Sequence, residues 1–242
     1  HKLSKQETAI IKEKLKAVID CMLQSNIKHG FVWNKKNETW MDTSYNDNGR
    51  EGARIEIQAL QLRMYKLMCE LTNNETYLLL EKSLRHNVRK YFWNGHFLAD
   101  GLKDFTLRPN IFLAAYIYPE LLSKEEWEAC FTHALEKLWL DWGGLATIDK
   151  QNSLFRPYYT GETNESYHRG DSWYWINNIA AIVMSKVNKK KFETYINKIV
   201  AASVNDILWK GAVGCASELS SANEQRAEGC LMQAWSNAAF VE

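Results

Sequence analysis

From Tyr167 to Trp175 the sequence reads Tyr-His-Arg-Gly-Asp-Ser-Trp-Tyr-Trp, the densest mixture of polar and aromatic side chains in the chain. His168, Asp171, Trp173 and Trp175 carry its polar and aromatic groups. Flat indole faces pack against the C–H faces of a pyranose ring, while neighbouring carboxylates, amides and guanidinium groups bind its hydroxyls. Aromatic residues are abundant throughout: ten Trp, eleven Tyr and nine Phe make 12% of the chain. Many of the Trp lie beside Gly, Asp, Asn or Thr, a placement that suggests cleft walls as well as core. Any single Trp fits an ordinary core position equally well, and His168 alone fits a hydrogen-bonded structural histidine.

Other chemistries have less in their favour. Gly170-Asp171-Ser172 with His168 as base has the composition of a serine hydrolase site, but the sequence predicts no strand before Ser172 to build a nucleophile elbow. No His pair has metal-ligand spacing, and no phosphate loop or dinucleotide fingerprint occurs. No cofactor is therefore expected.

The bulk properties fit a neutral ligand. Thirty basic and twenty-nine acidic residues give a formal charge of +1, which provides no field for nucleic acid phosphates or an anionic membrane. No apolar run approaches the roughly 20 residues of a membrane span, and the opening segment has no hydrophobic signal region. Cys21, Cys69, Cys130, Cys215 and Cys230 are odd in number and scattered, with no C-x-x-C pair. That pattern points to a reducing cytoplasm, with each thiol a small buried apolar group. The N-x-[ST] triplets at Asn37, Asn74 and Asn164 matter only after secretion.

These side chains must be positioned by helices. Only three Pro occur, and apolar residues recur at three- and four-residue spacing through most long segments. A first helix is predicted over 5–24, with Ile10, Ile11, Leu15, Val18, Ile19 and Met22 as its stripe. Further helices are predicted over 53–71, 75–91, 109–118, 123–139, 171–187, 189–208 and 229–241, and Ser123 with Glu126 has the spacing of a capping box. The connections alternate in kind. Some are short, at 72–74 and near 188; others are long and rich in Trp, Gly, Asp and Asn, at 25–52, 92–108, 140–170 and 209–228. That alternation predicts an all-α toroid of helical hairpins with its site on the long-loop face, an all-helical solenoid being the alternative. No linker divides the chain, so residues 1–242 are expected to form a single domain or part of one.

The long loops carry a series of recognisable words: Thr39–Asp42 (TWMD), Gly52–Leu60 (GARIEIQAL), Leu107–Asn110 (LRPN), Gly143–Asp149 (GGLATID), Tyr167–Trp175, Cys215–Leu219 (CASEL) and Cys230–Ser236 (CLMQAWS). In order and spacing the series resembles the C-terminal amylo-α-1,6-glucosidase domain of glycogen debranching enzymes. It departs from that family's pattern at Arg169, Asp171-Ser172 and Tyr174.

The resemblance implies a twelve-helix (α/α)6 toroid and inverting hydrolysis by two carboxyl groups, which map to Asp42 and Glu218. Asp42 would protonate the glycosidic oxygen, and Glu218 would activate water from the opposite face of the sugar. Beside Trp40 and Met41, Asp42 is expected to have the raised pKa of a resting acid. The same resemblance assigns substrate contacts to Trp40, Arg54, Glu56, Gln58, Arg108, His168, Asp171, Trp173, Trp175, Gln233 and Trp235. Arg54, Glu56 and Gln58 cannot share one helix face, and Arg108 fits a hydroxyl clamp or a mere anchor beside Pro109.

The implied partner is an α-glucan, glycogen or a limit dextrin, and full debranching would need a 4-α-glucanotransferase elsewhere. Eight helices do not close a ring of twelve. Four N-terminal helices are expected upstream in a longer protein, of which His1 begins a part, or in another chain. Another inverting (α/α)6 glycosidase, of the glucoamylase, trehalase or glucosylglycerate hydrolase type, and a non-catalytic carbohydrate-binding module are the rival readings.

Overall fold

The computed structural model describes residues 4–242. Helix α1 (Lys5–Ser25) starts at a capping box, in which Ser4 Oγ accepts the Glu7 amide and Glu7 reaches back to the Ser4 amide. Helices α2 (Ile55–Thr72) and α3 (Glu75–Phe92) form a tight hairpin across Asn73, which adopts the left-handed conformation at the end of α2, and Asn74, which caps α3 through the Thr76 amide. Helix α4 (Asn110–Ile117) packs against α2, and α5 (Lys124–Leu138) begins at the expected capping box between Ser123 and Glu126.

The long helix α6 (Tyr174–Trp209) bends at Asn188, whose φ of −157° and ψ of 84° are not helical. Its side chain explains the bend: Asn188 Oδ1 accepts the Lys191 amide at 3.1 Å, capping the second half, while Nδ2 donates to Glu128 of α5 at 2.8 Å. The two halves correspond to the helices expected over 171–187 and 189–208. Helix α7 (Ala234–Val241) packs on α6. It starts later than predicted, because Gly229 has a φ of +67° and the preceding segment pairs with the Glu218 loop.

Among the described residues, three two-residue antiparallel ladders tie the loops together: β1 (Ile27–Lys28) with β2 (Phe31–Val32), β3 (Trp139–Leu140) with β4 (Gly144–Leu145), and β5 (Ser172–Trp173) with β6 (Leu219–Ser220). The principal core lies between α2, α3, α4, α5 and the first half of α6, around Leu62, Met68, Val88, Phe112, Phe131 and Met184.

The helix faces are less covered than the periodicity implies. Of the predicted α1 stripe only Ile19 is buried, while Ile10 and Val18 are exposed; Leu60 of α2 and Leu78 of α3 also reach solvent. The thiols of Cys21 and Cys230 are exposed too, unlike the buried cysteines expected. No helix among the described residues is long and apolar enough to cross a membrane.

Candidate active site

The loop between β2 and α2 carries Asp42 and is pinned by a buried ionic network. Arg50 adopts the left-handed conformation, with a φ of 52°. Its guanidinium makes five hydrogen bonds, to both oxygens of Glu56, both oxygens of Asp100 and Thr39 Oγ1. Burial alone would raise Asp100, but Arg50, Arg108 and Arg54 outweigh it and hold its carboxyl at about 2. Asp100 also accepts Asn110 Nδ2 at 2.7 Å, and Asn110 Oδ1 accepts Trp40 Nε1 at 2.7 Å. On the other side, Arg169 donates to the carbonyls of Thr43 and Asn48 at 2.8 and 2.7 Å.

Several expected sugar contacts belong to this scaffold. Arg54 bonds Asp104 and the Arg50 and Glu51 carbonyls, Glu56 is paired with Arg50, and Gln58 holds both backbone groups of Val32. Arg108 donates to the carbonyls of Thr147 and His168 at 2.9 and 2.7 Å. None of the four lines the cleft that contains Asp42. Buried in ion pairs and backbone contacts, these side chains act as loop anchors.

That cleft has a volume of about 530 Å³, within the range of roughly 300–1,000 Å³ typical of small-molecule sites. Trp40, Asp42, Tyr159, Tyr167, Trp173, Glu218 and Trp235 line it. Asp42 and Glu218, from loops at opposite ends of the sequence, therefore face one space. Ladder β5–β6 brings Trp173 beside Leu219 and so sets Glu218 next to the aromatic wall.

Glu218 is held by three donors. Tyr167 Oη donates to Oε1 at 2.6 Å, Gln233 Nε2 to Oε1 at 3.0 Å, and the Cys230 amide to Oε2 at 2.9 Å. Burial and the bond to Glu218 push the Tyr167 hydroxyl well above its ordinary pKa, so it remains a proton donor. A Cβ on Gly229 would sit 2.2 Å from Glu218 Oε2, so glycine leaves room for the carboxylate.

The environment of Asp42 differs from the expectation. Its side chain is 62% exposed and faces His168 Nε2 at 3.3 Å. That hydrogen bond lowers its pKa, outweighing the partial burial that opposes it. The predicted apolar surround is absent because Trp40 turns aside, edge-on to Trp173 and Trp175 at 5.5 and 4.9 Å. Burial pulls His168 down to about 4 despite Asp42, so the ring is neutral near pH 7 and donates from Nε2. It stacks on Trp173, with 5.0 Å between centroids and planes 15° apart.

Of the remaining expected contacts, Trp175 and Asp171 lie behind the wall. Trp175 is buried and stacks on Trp235 at 4.9 Å, 6° from parallel, so Trp235 alone of that pair reaches the cleft. Asp171 is fully buried, accepts Ser166 Oγ at 2.6 Å and is raised by burial to about 7. Through Ser166 and Thr160 it anchors the 160–166 loop, of which Gly161, Glu162 and Asn164 line the cleft. Ser172 Oγ bonds the Leu145 amide and Asn177, while His168 faces Asp42, so the serine-hydrolase arrangement does not form. Among the described residues no cluster of three or more His, Cys, Asp or Glu is poised to hold a metal. Sequence reasoning missed Tyr167, which stood unremarked in the densest motif, and the Arg50–Asp100 hub.

The family model described as Amylo-alpha-1,6-glucosidase matches residues 5–242. The glycogen debranching enzyme of Saccharomyces cerevisiae is 34% identical over 83 residues, covering 31% of this chain and 5% of the yeast protein. Among solved structures, a sialidase superposes with a TM-score of 0.71 at 13% identity, over 98% of this chain and 24% of that one. The neutral trehalase of Saccharomyces cerevisiae gives 0.62 at 15% identity, over 84% and 40%. A GH63 mannosylglycerate hydrolase from Thermus thermophilus, in complex with glucose, gives 0.56 at 14%, over 78% and 47%. At such identities the likeness is one of fold, the (α/α)6 toroid of helical hairpins. The chain spans less than half the length of these relatives.

Proposed function

This chain belongs to the amylo-alpha-1,6-glucosidase family, and from that premise we propose that it is a glycoside hydrolase cleaving α-1,6-glucosidic branch points of glycogen-type limit dextrins. The observation that carries the reading is the meeting of Asp42 and Glu218 in one Trp-lined cleft. A glucoside leaving group must gain a proton while the attacking water loses one, and a single carboxyl cannot do both in one transition state. In the proposed reaction Asp42 gives its proton to the glycosidic oxygen as the bond from C1 breaks. Glu218 takes a proton from the water that attacks C1 from the other face, and glucose leaves with its anomeric configuration inverted.

The depressed pKa of Asp42 belongs to the open cleft. A bound glucosyl unit that displaces water from the half-exposed carboxyl would raise it toward the protonated form the role needs. Further toroid helices, upstream or from another chain, would deepen the same effect; residues 1–242 would then be one part of a single catalytic domain. Apolar side chains exposed on α1 and α6, such as Ile10, Val18, Val200 and Val204, offer faces for such neighbours.

The test is product release. A limit dextrin bearing single α-1,6-glucosyl stubs is expected to yield glucose, first seen by NMR as the β-anomer, while linear maltooligosaccharides and trehalose yield none. Release from trehalose or linear chains would move the assignment to another (α/α)6 glycosidase. Sugar binding without hydrolysis, unchanged in Asp42→Asn and Glu218→Gln, would mark a non-catalytic module.

A further inference from the structure

The two segments that wall the candidate active site, around Tyr159 and Glu218, also wall a second cleft of about 550 Å³. Pro157 and Asn223 are joined by a 2.9 Å backbone hydrogen bond, and Ser221 Oγ links the Tyr159 amide to the Pro157 carbonyl, each at 3.0 Å. One rigid ridge therefore separates the two spaces and sets both on the long-loop side of the helices.

The second cleft has aromatic walls and a polar rim. Trp139, Trp142 and Phe155 are half-buried, and Asp141, Asn223 and Glu224 are exposed beside them. The indoles are fixed in place: Trp142 Nε1 donates to the Ala222 carbonyl at 3.2 Å, and Trp139 meets Tyr195 edge-on at 4.8 Å. Lys150, the cation in the lining, is spent on the Trp139 carbonyl at 2.7 Å. Asp141 and Glu224 offset Lys150 and the Arg226 that pairs with Glu224 at 3.9 Å, so the cleft carries no net charge to draw a phosphate or another anion. Half-exposed aromatic faces held rigid beside acceptors and an amide suit a neutral ligand with flat C–H faces and many hydroxyls.

We propose that the cleft walled by Trp139, Trp142 and Phe155 is a second, non-catalytic α-glucan-binding site. The identity of the sugar rests on the function proposed above; the site itself rests on its own walls. A linear glucan stretch seated here lies across one ridge from the cleft that would take the branch. The second contact then raises the effective concentration of branch points at Asp42 and Glu218.

Affinity electrophoresis of the full chain in gels containing glycogen tests the proposal. Retardation is expected for the wild type. Asp141→Ala/Glu224→Ala, which alters only exposed rim groups, and Trp139→Ala should each weaken apparent affinity about tenfold. Wild-type retardation in the rim variant and in a Trp139→Ala protein with a native circular dichroism spectrum overturns the proposal, as does a wild type that glycogen does not retard. Failure of the hydrolase reading shows differently: no glucose is released from a limit dextrin, while the rim variant still loses retardation.

Discussion

Tyr167 Oη donates to Glu218 Oε1 at 2.6 Å, so the carboxylate proposed as the base is aimed by a phenol from the densest aromatic motif. A hydrogen bond to a charged group contributes roughly 1.5–3 kcal/mol. Tyr167→Phe is therefore expected to lower kcat on an α-1,6 substrate by about 10- to 100-fold with little change in KM. An unchanged kcat would remove Tyr167 from the reaction.

Replacing the carboxyls themselves should cost more. Asp42→Asn and Glu218→Gln are each expected to lower kcat by about 10²- to 10⁴-fold, the usual range for a general acid or base, while titration calorimetry still detects oligosaccharide binding. Azide added to Glu218→Ala gives a direct check on the water-activating role: a small anion that occupies the space left by the truncated side chain needs no base, and α-glucosyl substrates should then yield the β-azide.

Gly229→Ala isolates geometry from charge. The new methyl group would overlap Glu218 Oε2, and the φ of +67° at that position is strained for alanine. A displaced base should cost about 10²-fold in kcat, with a circular dichroism spectrum like the wild type's. Full activity would show that the carboxylate tolerates another position.

His168 and Asp171, three residues apart and both buried, oppose each other in pH. His168 titrates near 4 in the folded chain against an ordinary value of 6.5. As pH falls from about 6.5 to 4 the unfolded state takes up a proton that the folded state refuses, removing about 3 kcal/mol of stability. Asp171 is raised from 3.8 to about 7. Its contribution is complete below pH 4 and is lost as pH rises to about 7, by about 4 kcal/mol. Urea denaturation from pH 4 to 7 should give His168→Gln a stability that falls with rising pH and Asp171→Asn one that rises. Parallel curves for the two variants would contradict these assignments.

The Arg50 hub makes a prediction about stability alone. Arg50→Met leaves Glu56 and Asp100 buried with one guanidinium fewer, a change that typically costs about 3–5 kcal/mol. The urea midpoint should fall accordingly at pH 7. A loss below about 1 kcal/mol would mean that Arg54 and Arg108 suffice to hold Asp100.

How much of this is legible in the sequence depends on the range of the interactions. Helix spacing, the Ser123–Glu126 capping box and the break at Asn188 are local, and periodicity with short-range signals locates them to within a few residues. The start of α7 escapes that reading because Leu231 and Met232 continue an apolar pattern that Gly229 and the pairing of Glu218 with Cys230 interrupt. Site residues are harder. Asp42 and Glu218 enter through a resemblance between loop words, whereas Arg54, Glu56 and Gln58 share such a word and yet serve the scaffold. Among their partners, Val32, Asp100 and Asp104 lie 26, 46 and 50 residues away, and no spacing rule links them. The sequence points to the wrong sign for the pKa of Asp42 because its neighbours along the chain, Trp40 and Met41, are not what its carboxyl meets.

The pairing of Ser172–Trp173 with Leu219–Ser220 has a mechanical meaning. Trp173 is at once a rung of that ladder and the plate on which His168 lies. The segment bearing Glu218 is thus joined through one indole to the imidazole that touches Asp42. One side of the space between the two carboxyls is therefore set by four paired residues, one indole and one imidazole, and the other by the Arg50 network and Arg169, which pin the loop that bears Asp42.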